Sequence, residues 1–177
     1  STDHSFEIAT EALTDVSWVQ TVVMRNQNNI NLGGSHKAAF SYCIKEGFEY
    51  CIVLHGDDQA SISDLAGILR EKDYQYYDLI LGARFKQDAT LVNYSKIREL
   101  GNRALNLILS IIVNKRIYDL GSGLNLFGPK VLLDDAYLHF DNDLTFNIFL
   151  LLHSIKSKKR LLFFPITWRE EDQISNA

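Results

Sequence analysis

The chain has 177 residues, of which 46% are hydrophobic and 23% are charged, and these values are ordinary for one soluble globular domain. The formal net charge of −4 gives no support for a protein that wraps nucleic acid or another polyanion. The two cysteines, Cys43 and Cys51, lack a CxxC spacing and are too few for a disulfide framework, so we interpret them as small buried side chains in a reducing compartment. The polar first residues show no secretory signal, and no apolar run reaches the ~18–20 residues of a membrane span.

Apolar runs and helical patterns alternate along the chain, and this alternation predicts an α/β fold with a mostly parallel sheet. The predicted helices cover residues 6–13, 33–46, 61–72, 95–113, a turn from 129, and 143–154, and the predicted strands cover 19–24, 50–54, 77–82, 124–127 and 160–164. Ligands of such sheets bind beyond the carboxyl ends of the strands. We therefore expect the functional residues in the loops after positions 24, 54, 82 and 164.

The predicted strand 50–54 ends abruptly in His55-Gly56-Asp57-Asp58-Gln59. Two adjacent carboxylates at a ligand edge suit a hard cation such as Mg²⁺, which takes one or two protein carboxylates and completes its shell with substrate phosphates. An ion held there would neutralise a diphosphate leaving group. The alternative is a polar turn in which Asp58 or Gln59 caps the next helix.

A glycine-rich segment, residues 33–37, precedes the second predicted helix. The free N–H groups of a helix N-terminus suit a phosphate, which makes Gly34 and Lys37 candidate nucleotide contacts. The segment lacks the first glycine of a Walker A loop. A simple turn from loop to helix remains the alternative.

Other segments carry recognisable motifs beside residues 55–59. They are Ser1-Thr2-Asp3, residues 31–39, Gly82-Ala83-Arg84, residues 119–124, and Pro165-Ile166 with Arg169 and Ser175. In this order the segments resemble motifs of the family 2 glycosyltransferases of the GT-A fold, nearest to the dolichyl- and polyprenyl-phosphate sugar transferases. That family carries an Asp-x-Asp motif, often followed by x-Gln, after a buried strand. The second acid falls on Asp57 and the glutamine on Gln59, whereas His55 replaces the first acid.

The resemblance implies a GT-A, Rossmann-like three-layer sandwich, with residues 1–177 as one partial glycosyltransferase domain that lacks its first strand. It implies Mg²⁺ or Mn²⁺ as cofactor, with Asp57 and Gln59 as metal ligands and Asp57 as a catalytic residue. The implied nucleotide-sugar contacts are Gly34, Lys37, His55 and Asp58, and the implied contacts to donor or acceptor phosphate are Arg84, Ser122 and Arg169. For each arginine the alternative is a surface ion pair.

Asp141-Asn142-Asp143 precedes the predicted helix 143–154. In members of the family that glycosylate a hydroxyl, an acid at the start of this helix is the general base, which makes Asp141 and Asp143 candidates. The alternative is that these acids cap the helix. An acceptor phosphate needs no base, because its oxygen is already anionic.

The predicted activity is that of an inverting hexosyltransferase, which moves a sugar from a nucleotide-sugar to a polyprenyl phosphate in cell-envelope or glycoconjugate synthesis. A soluble or polysaccharide acceptor is the main enzymatic alternative. Two further alternatives are a nucleotidyltransferase and a non-catalytic GT-A module that only binds a ligand. The binding module stays an alternative because His55 replaces the first acid of the motif.

The predicted helix 95–113 carries a polar residue at every fourth position: Asn102, Asn106 and Ser110, followed by Asn114. Its other faces are apolar, and this apolar surface is larger than a helix at the protein surface needs for packing one side on a core. Such a helix is either sandwiched inside the protein or partly in contact with lipid. We expect a cytoplasmic protein that associates peripherally with the membrane.

Overall fold

The computed structural model describes residues 4–170. Its helices are α1 (Ser5–Leu13), α2 (Asn31–Lys45), α3 (Ala66–Glu71), α4 (Lys96–Ile112), α5 (Pro129–Leu132) and α6 (Phe146–Lys156). Its strands are β1 (Cys51–Leu54), β2 (Leu79–Ala83), β3 (Thr90–Val92), β4 (Leu124–Phe127), β5 (Leu161–Pro165) and β6 (Thr167–Arg169). Short 3-10 helices cover Ile62–Leu65, Asp73–Tyr76 and Asp135–His139. The terminal motif residues Ser1, Thr2, Asp3 and Ser175 lie outside the described range.

The main sheet has the order β1-β4-β2-β5. Strands β2 and β5 are parallel, whereas β4 runs antiparallel to both of its neighbours. The α/β class is confirmed, but the prediction of a mostly parallel sheet is wrong, because the sheet is mixed. The mostly apolar sequence of β4, in which Asn125 is the polar member, indicates a strand buried on both faces, but it carries no information about strand direction.

Both faces of the main sheet are covered. Leu79 and Ile80 are consecutive in β2 and enter different core clusters, as the alternation of side chains along a strand requires. On the Leu79 side, Phe40 of α2 and Phe146 of α6 pack with Phe127. On the Ile80 side, the core includes residues from the 3-10 helix before α3, from β6 and from the loops flanking β3.

Strands β3 and β6 form a separate two-stranded parallel sheet, and neither strand was predicted from the sequence. Three residues are too few to show a periodic pattern. Conversely, the strand predicted at 19–24 is wrong, since this segment forms no strand in the described part of the chain. Most of its apolar side chains are exposed, with Val22 at 50% and Met24 at 55%.

Helix α4 is turned with its polar stripe inward. Asn106 and Ser110 are buried, and they hydrogen-bond the loop before β4: Asn106 Nδ2 donates to the Tyr118 carbonyl at 2.8 Å, and Ile117 N donates to Ser110 Oγ at 2.8 Å. Most of the apolar side chains face outward, so α4 is not sandwiched inside the protein. Across residues 4–170, no helix has the length and apolar character needed to cross a membrane.

Candidate functional site

The carboxyl ends of β1, β2 and β5 lie at one edge of the main sheet, together with the amino end of β4. His55, the first residue after β1, donates its backbone N–H to the Gly123 carbonyl at 2.8 Å. A Cβ on Gly123 would lie 3.0–3.1 Å from atoms of the His55 side chain, so a side chain here would crowd the histidine. The edge therefore joins the loop after β1 to the loop before β4, and we call it the carboxyl edge.

The turn after β1 is open to solvent. Asp57 and Asp58 are both exposed, and a Cβ on Gly56 would meet no described atom within 4 Å. Asp57 Oδ1 accepts the backbone N–H of Gln59 at 3.2 Å, which shapes the turn. Asp58 adopts the left-handed conformation with φ of 55°, which aspartate tolerates better than most residues. The predicted pair of carboxylates is thus presented at the surface of the edge.

Arg169 of β6 is a neighbour of this turn. Its backbone N–H donates to the Gln59 carbonyl at 2.9 Å, while its side chain is exposed. Trp168 forms a bridge with Ala60 just beyond. The carboxylates of Asp57 and Asp58 and the guanidinium of Arg169 therefore belong to adjacent backbone segments, although they are more than 100 residues apart in sequence.

Arg84, at the end of β2, is bound to Asp119. Its Nε donates to Asp119 Oδ2 at 2.8 Å and its Nη2 donates to Oδ1 at 2.8 Å, a bidentate pair. The side chain of Arg84 is 12% exposed and that of Asp119 is 2% exposed. Burial alone would lower the pKa of Arg84, but the hydrogen bonds and charge of Asp119 outweigh it and raise the pKa.

The guanidinium of Arg84 also lies over the Trp168 ring, 4.9 Å from its centroid, and its Nη2 donates to the Gly121 carbonyl at 3.3 Å. Asp119 Oδ1 accepts the Gly121 N–H at 3.2 Å. The fork that we predicted for a phosphate is therefore occupied by a carboxylate. In this arrangement Arg84 fixes the loop before β4, and the ion pair is buried at the sheet and not on the surface.

Ser122 is 2% exposed. Its hydroxyl lies 3.4 Å from the Leu124 carbonyl and 3.4 Å from Asn125 Oδ1, while Asn125 Nδ2 donates to the Ser122 carbonyl at 3.0 Å. A Cβ on Gly82 would approach the Ser122 hydroxyl to 2.9 Å, so the serine packs directly on β2. As placed, the Ser122 side chain does not reach the open surface at which we predicted a phosphate contact.

Two histidines meet behind the turn after β1. The rings of His36 in α2 and His55 are 6.2 Å apart between centroids and nearly perpendicular. His36 Nδ1 bonds the Leu32 carbonyl at 2.9 Å, whereas the buried Nε2 atoms of both rings have no hydrogen-bond partner among the described residues. Burial lowers the pKa of both histidines. The negative charge of Asp57 acts in the opposite direction on the pKa of His55, but burial has the larger effect. No functional role was predicted for His36 from the sequence, because its spacing from other residues is not that of a metal ligand.

The N-terminus of α2 is tied to the loop before α6. Gly33 N donates to the Asn142 carbonyl at 2.7 Å, and Lys37 Nζ donates to Asn142 Oδ1 at 2.7 Å and to the Phe140 carbonyl. Gly34 is buried, and a Cβ there would lie 2.7 Å from the Ile30 Cβ. Lys37 and Gly34, our predicted nucleotide contacts, thus have structural partners within the protein.

Asp141 and Asp143 are exposed on either side of Asn142. Asp143 Oδ1 accepts both the backbone N–H (2.8 Å) and the hydroxyl (2.5 Å) of Thr145, just before α6. These hydrogen bonds lower the pKa of Asp143, and the bond from the Thr145 hydroxyl has the largest effect. The arrangement matches the alternative in which this acid stabilises the start of the helix.

The donors of the carboxyl edge do not form a complete metal cage. The described residues contain no cluster of three or more His, Cys, Asp or Glu side chains suited to a metal. Asp57, Asp58 and Gln59 supply oxygen atoms on one exposed turn. Such a set fits a hard ion that is shared with the phosphates of a substrate, which is how Mg²⁺ is usually held.

No model of a known protein family matches the chain, and no curated protein matches it. Among solved structures, the chain is similar to a protein of Desulfovibrio desulfuricans G20 that bears the name "putative nucleotide-diphospho-sugar transferase". The two share 16% sequence identity with a TM-score of 0.47, and the superposition covers 98% of this chain and 58% of that one. This chain therefore spans a little over half the length of its neighbour, and so loose a likeness carries no argument about activity.

Proposed function

We propose that this chain is part of a family 2 glycosyltransferase of the GT-A fold, which transfers a sugar from a nucleotide-sugar to a polyprenyl phosphate with inversion at the anomeric carbon. In this reaction an acceptor phosphate oxygen forms the new bond to the anomeric carbon, and the bond to the nucleoside diphosphate breaks. Residues 1–177 contribute one domain of the enzyme.

The observation that carries the proposal is the exposed turn after β1. It presents Asp57 and Asp58 beside the exposed Arg169 at the carboxyl edge, where ligands of α/β sheets bind. Carboxylates together with an arginine suit a ligand that carries both a metal ion and phosphates.

Asp57, with Gln59 and Asp58, would hold Mg²⁺ or Mn²⁺ when the diphosphate of the donor is present. The ion would supply positive charge to the diphosphate as it leaves. The role of the protein is to place these oxygens on a short turn, which Asp57 itself closes through the Gln59 N–H. We assign Arg169 to a phosphate of donor or acceptor, and we assign Arg84 and Ser122 to support of the loop before β4.

The hydrogen bonds of Asp143 to Thr145 fit an acceptor that needs no general base at this position. A general base is effective when its pKa lies near the working pH. The hydrogen bonds from Thr145 shift the pKa of Asp143 away from that range. An acceptor phosphate is already anionic and needs no base, so the carboxylate is free to hold the start of α6.

A non-catalytic binding module is the second candidate, and His55 favours it. The resemblance places an acid at this position, but here a half-buried histidine occupies it, and its buried Nε2 has no hydrogen-bond partner in residues 4–170. A module of this kind would bind a nucleoside diphosphate and transfer nothing.

The test is a transfer assay with purified protein, a panel of radiolabelled nucleotide-sugars, a polyprenyl phosphate and either Mg²⁺ or Mn²⁺. We expect transfer that depends on the ion and falls by about 100-fold or more in Asp57→Asn, since a lost transition-state contact has effects of this size. The control is Asp135→Asn, which changes an exposed acid in a 3-10 helix outside the edge. Equal turnover in wild type and Asp57→Asn would contradict the metal assignment, and binding without transfer would favour the module.

A further inference from the structure

The outward face of α4 is almost entirely apolar. A rotation of 100° per residue places the apolar side chains on one continuous side of the helix, and the buried polar stripe lies opposite. The most exposed members of the outward face are Ile97 (85%), Leu100 (72%), Ile111 (71%) and Ile112 (70%), joined by Leu107 and Ile108 (54% each). This orientation is the reverse of a helix that packs its apolar side on a core.

Basic residues border this apolar face. On the helical projection Lys96 and Arg103 lie along one side and Arg98 along the other, while Lys115 and Arg116 follow the last turn. Residues 96–116 contain five basic side chains and one acid, Glu99, in a chain whose net charge is −4. Positive charge is thus concentrated at a helix that exposes a broad apolar surface.

We propose that the outward face of α4 lies on the surface of an anionic phospholipid membrane, with the helix axis parallel to the bilayer. The apolar side chains would enter the boundary between headgroups and acyl chains. Lys115 and Arg116 would contact lipid phosphates, because they form no ion pair within residues 4–170, whereas Lys96, Arg98 and Arg103 pair with Glu99 or Glu170. This inference deepens the proposed function, because it names the surface from which a lipid-borne acceptor would reach the enzyme.

A groove beside α4 fits a phospholipid headgroup. It has a volume of about 300 Å³, and Arg103, Arg116, Phe85 and Leu107 contribute to its lining. Arg103 is held in place by Glu99 at 2.9 Å, whereas Arg116 lies over the Tyr118 ring and forms no ion pair with an acid within residues 4–170. The groove therefore offers a cation without a counterion next to apolar side chains, as an anionic lipid requires.

Charge argues against a second copy of the chain as the occupant. Two copies that joined these apolar faces would bring two basic borders together, and like charges placed opposite each other oppose association. A membrane that contains anionic lipids has the complementary charge.

The first turn of α4 is also connected to the carboxyl edge. Arg98 Nη1 lies 2.8 Å from Glu170 Oε1, and Glu170 directly follows Arg169. Glu170 N donates to the Val92 carbonyl at 3.0 Å, which fixes the end of the β3–β6 pair near the helix. A membrane along α4 would thus lie close to Arg169, which we assign to a phosphate of donor or acceptor.

The direct test is flotation of the purified chain with vesicles of phosphatidylcholine, with and without phosphatidylglycerol, in the absence of any nucleotide-sugar. We expect binding to the mixed vesicles and a fall of roughly ten-fold or more in the partition coefficient of the double variant Ile111→Ser with Ile112→Ser. The matched control is Leu133→Ser with Leu138→Ser, which removes two exposed leucines from another part of the surface. Both double variants should melt like the wild type, since none of these side chains belongs to the core.

A second pair of variants tests the charge. Lys115→Glu with Arg116→Glu should abolish the preference for phosphatidylglycerol, whereas Lys156→Glu with Lys158→Glu, in the other basic segment of the chain, should leave it unchanged. The inference is overturned if the wild type binds neither kind of vesicle, if the Lys156 and Lys158 changes remove binding instead, or if sedimentation shows a dimer that only the Ile111 and Ile112 changes dissociate. Sugar transfer to a short-chain acceptor free of membrane would persist in those cases, which separates failure of this inference from failure of the proposed function.

Discussion

The carboxyl edge has two parts that hold their charged side chains in different ways. In the part at β2 and β4, Arg84 and Asp119 are buried and bind each other through two hydrogen bonds of 2.8 Å. In the part at β1 and β6, the side chains of Asp57, Asp58 and Arg169 are exposed. We call these the closed part and the open part.

The difference indicates that the closed part supports the fold, whereas the open part contacts a ligand. A buried ion pair is costly to desolvate, and it persists because each charge neutralises the other. The exposed side chains of the open part are in contact with solvent, which a ligand can displace. From the sequence, Arg84 and Arg169 were both predicted as phosphate contacts, but changes in the closed part should affect stability and changes in the open part should affect binding.

The largest effect should follow the loss of the closed pair. Arg84→Ala leaves the Asp119 carboxylate buried without its partner, and we expect the free energy of unfolding to fall by about 3–5 kcal/mol in urea denaturation. Arg98→Ala is the control, because Arg98 pairs with Glu170 at the surface with its side chain 60% exposed, where such pairs contribute about 0–1 kcal/mol. Similar losses in the two variants would remove the distinction between the parts.

A second, smaller effect concerns pH, through the histidines between α2 and the open part. Burial lowers the pKa of His36 and His55 below the ordinary value of 6.5 in the folded protein. Below pH 6.5 the unfolded chain therefore binds more protons than the folded chain. The contribution of the two neutral histidines to stability is complete above this pH and is lost as the pH falls. The slope should reach at most about 1.4 kcal/mol per pH unit for each histidine.

Urea denaturation between pH 7 and pH 5 measures this slope. His55→Asn should reduce it, whereas His139→Asn, which changes an exposed histidine, should not. A wild-type stability that does not change over this range would show that the two rings accept protons without cost, in conflict with their burial.

The smallest effect should come from Arg169→Lys in the open part. The change keeps the charge and the backbone bond to Gln59 but removes the planar fork that binds phosphate in a bidentate way. We expect the KM for donor or acceptor to rise by roughly ten-fold, or kcat to fall comparably, with an unchanged melting temperature. If neither kinetic constant moves, Arg169 is a surface residue outside the site.

Much of the local structure was predictable because it depends on short patterns. The helix at Asn31–Lys45 and the strand at Leu124–Phe127 follow from helical periodicity and from a short apolar run, and Pro129 begins α5 as its fixed φ allows. The direction of β4 was not predictable, because direction depends on how the chain returns from α4 to the sheet.

Within the site, candidate residues could be identified from the sequence, but the side chains that they contact could not. The end of β1 could be identified as an exposed turn with acids because the apolar run stops at Leu54. The pairing of Arg84 with Asp119 spans 35 positions, and no local pattern encodes it. The polar stripe of α4 was visible in the sequence, yet only the hydrogen bonds of Asn106 and Ser110 to the loop at 117–118 decide that this stripe faces inward.

The most direct test of the account is a calorimetric titration of the chain with uridine and guanosine diphosphates, in the presence and in the absence of Mn²⁺. We predict that one nucleotide binds only when Mn²⁺ is present, that Asp57→Asn abolishes this binding, and that Asp135→Asn leaves it intact. Binding of equal strength without the ion, or unchanged binding by Asp57→Asn, would contradict the claim that the open part of the carboxyl edge holds a metal together with a diphosphate.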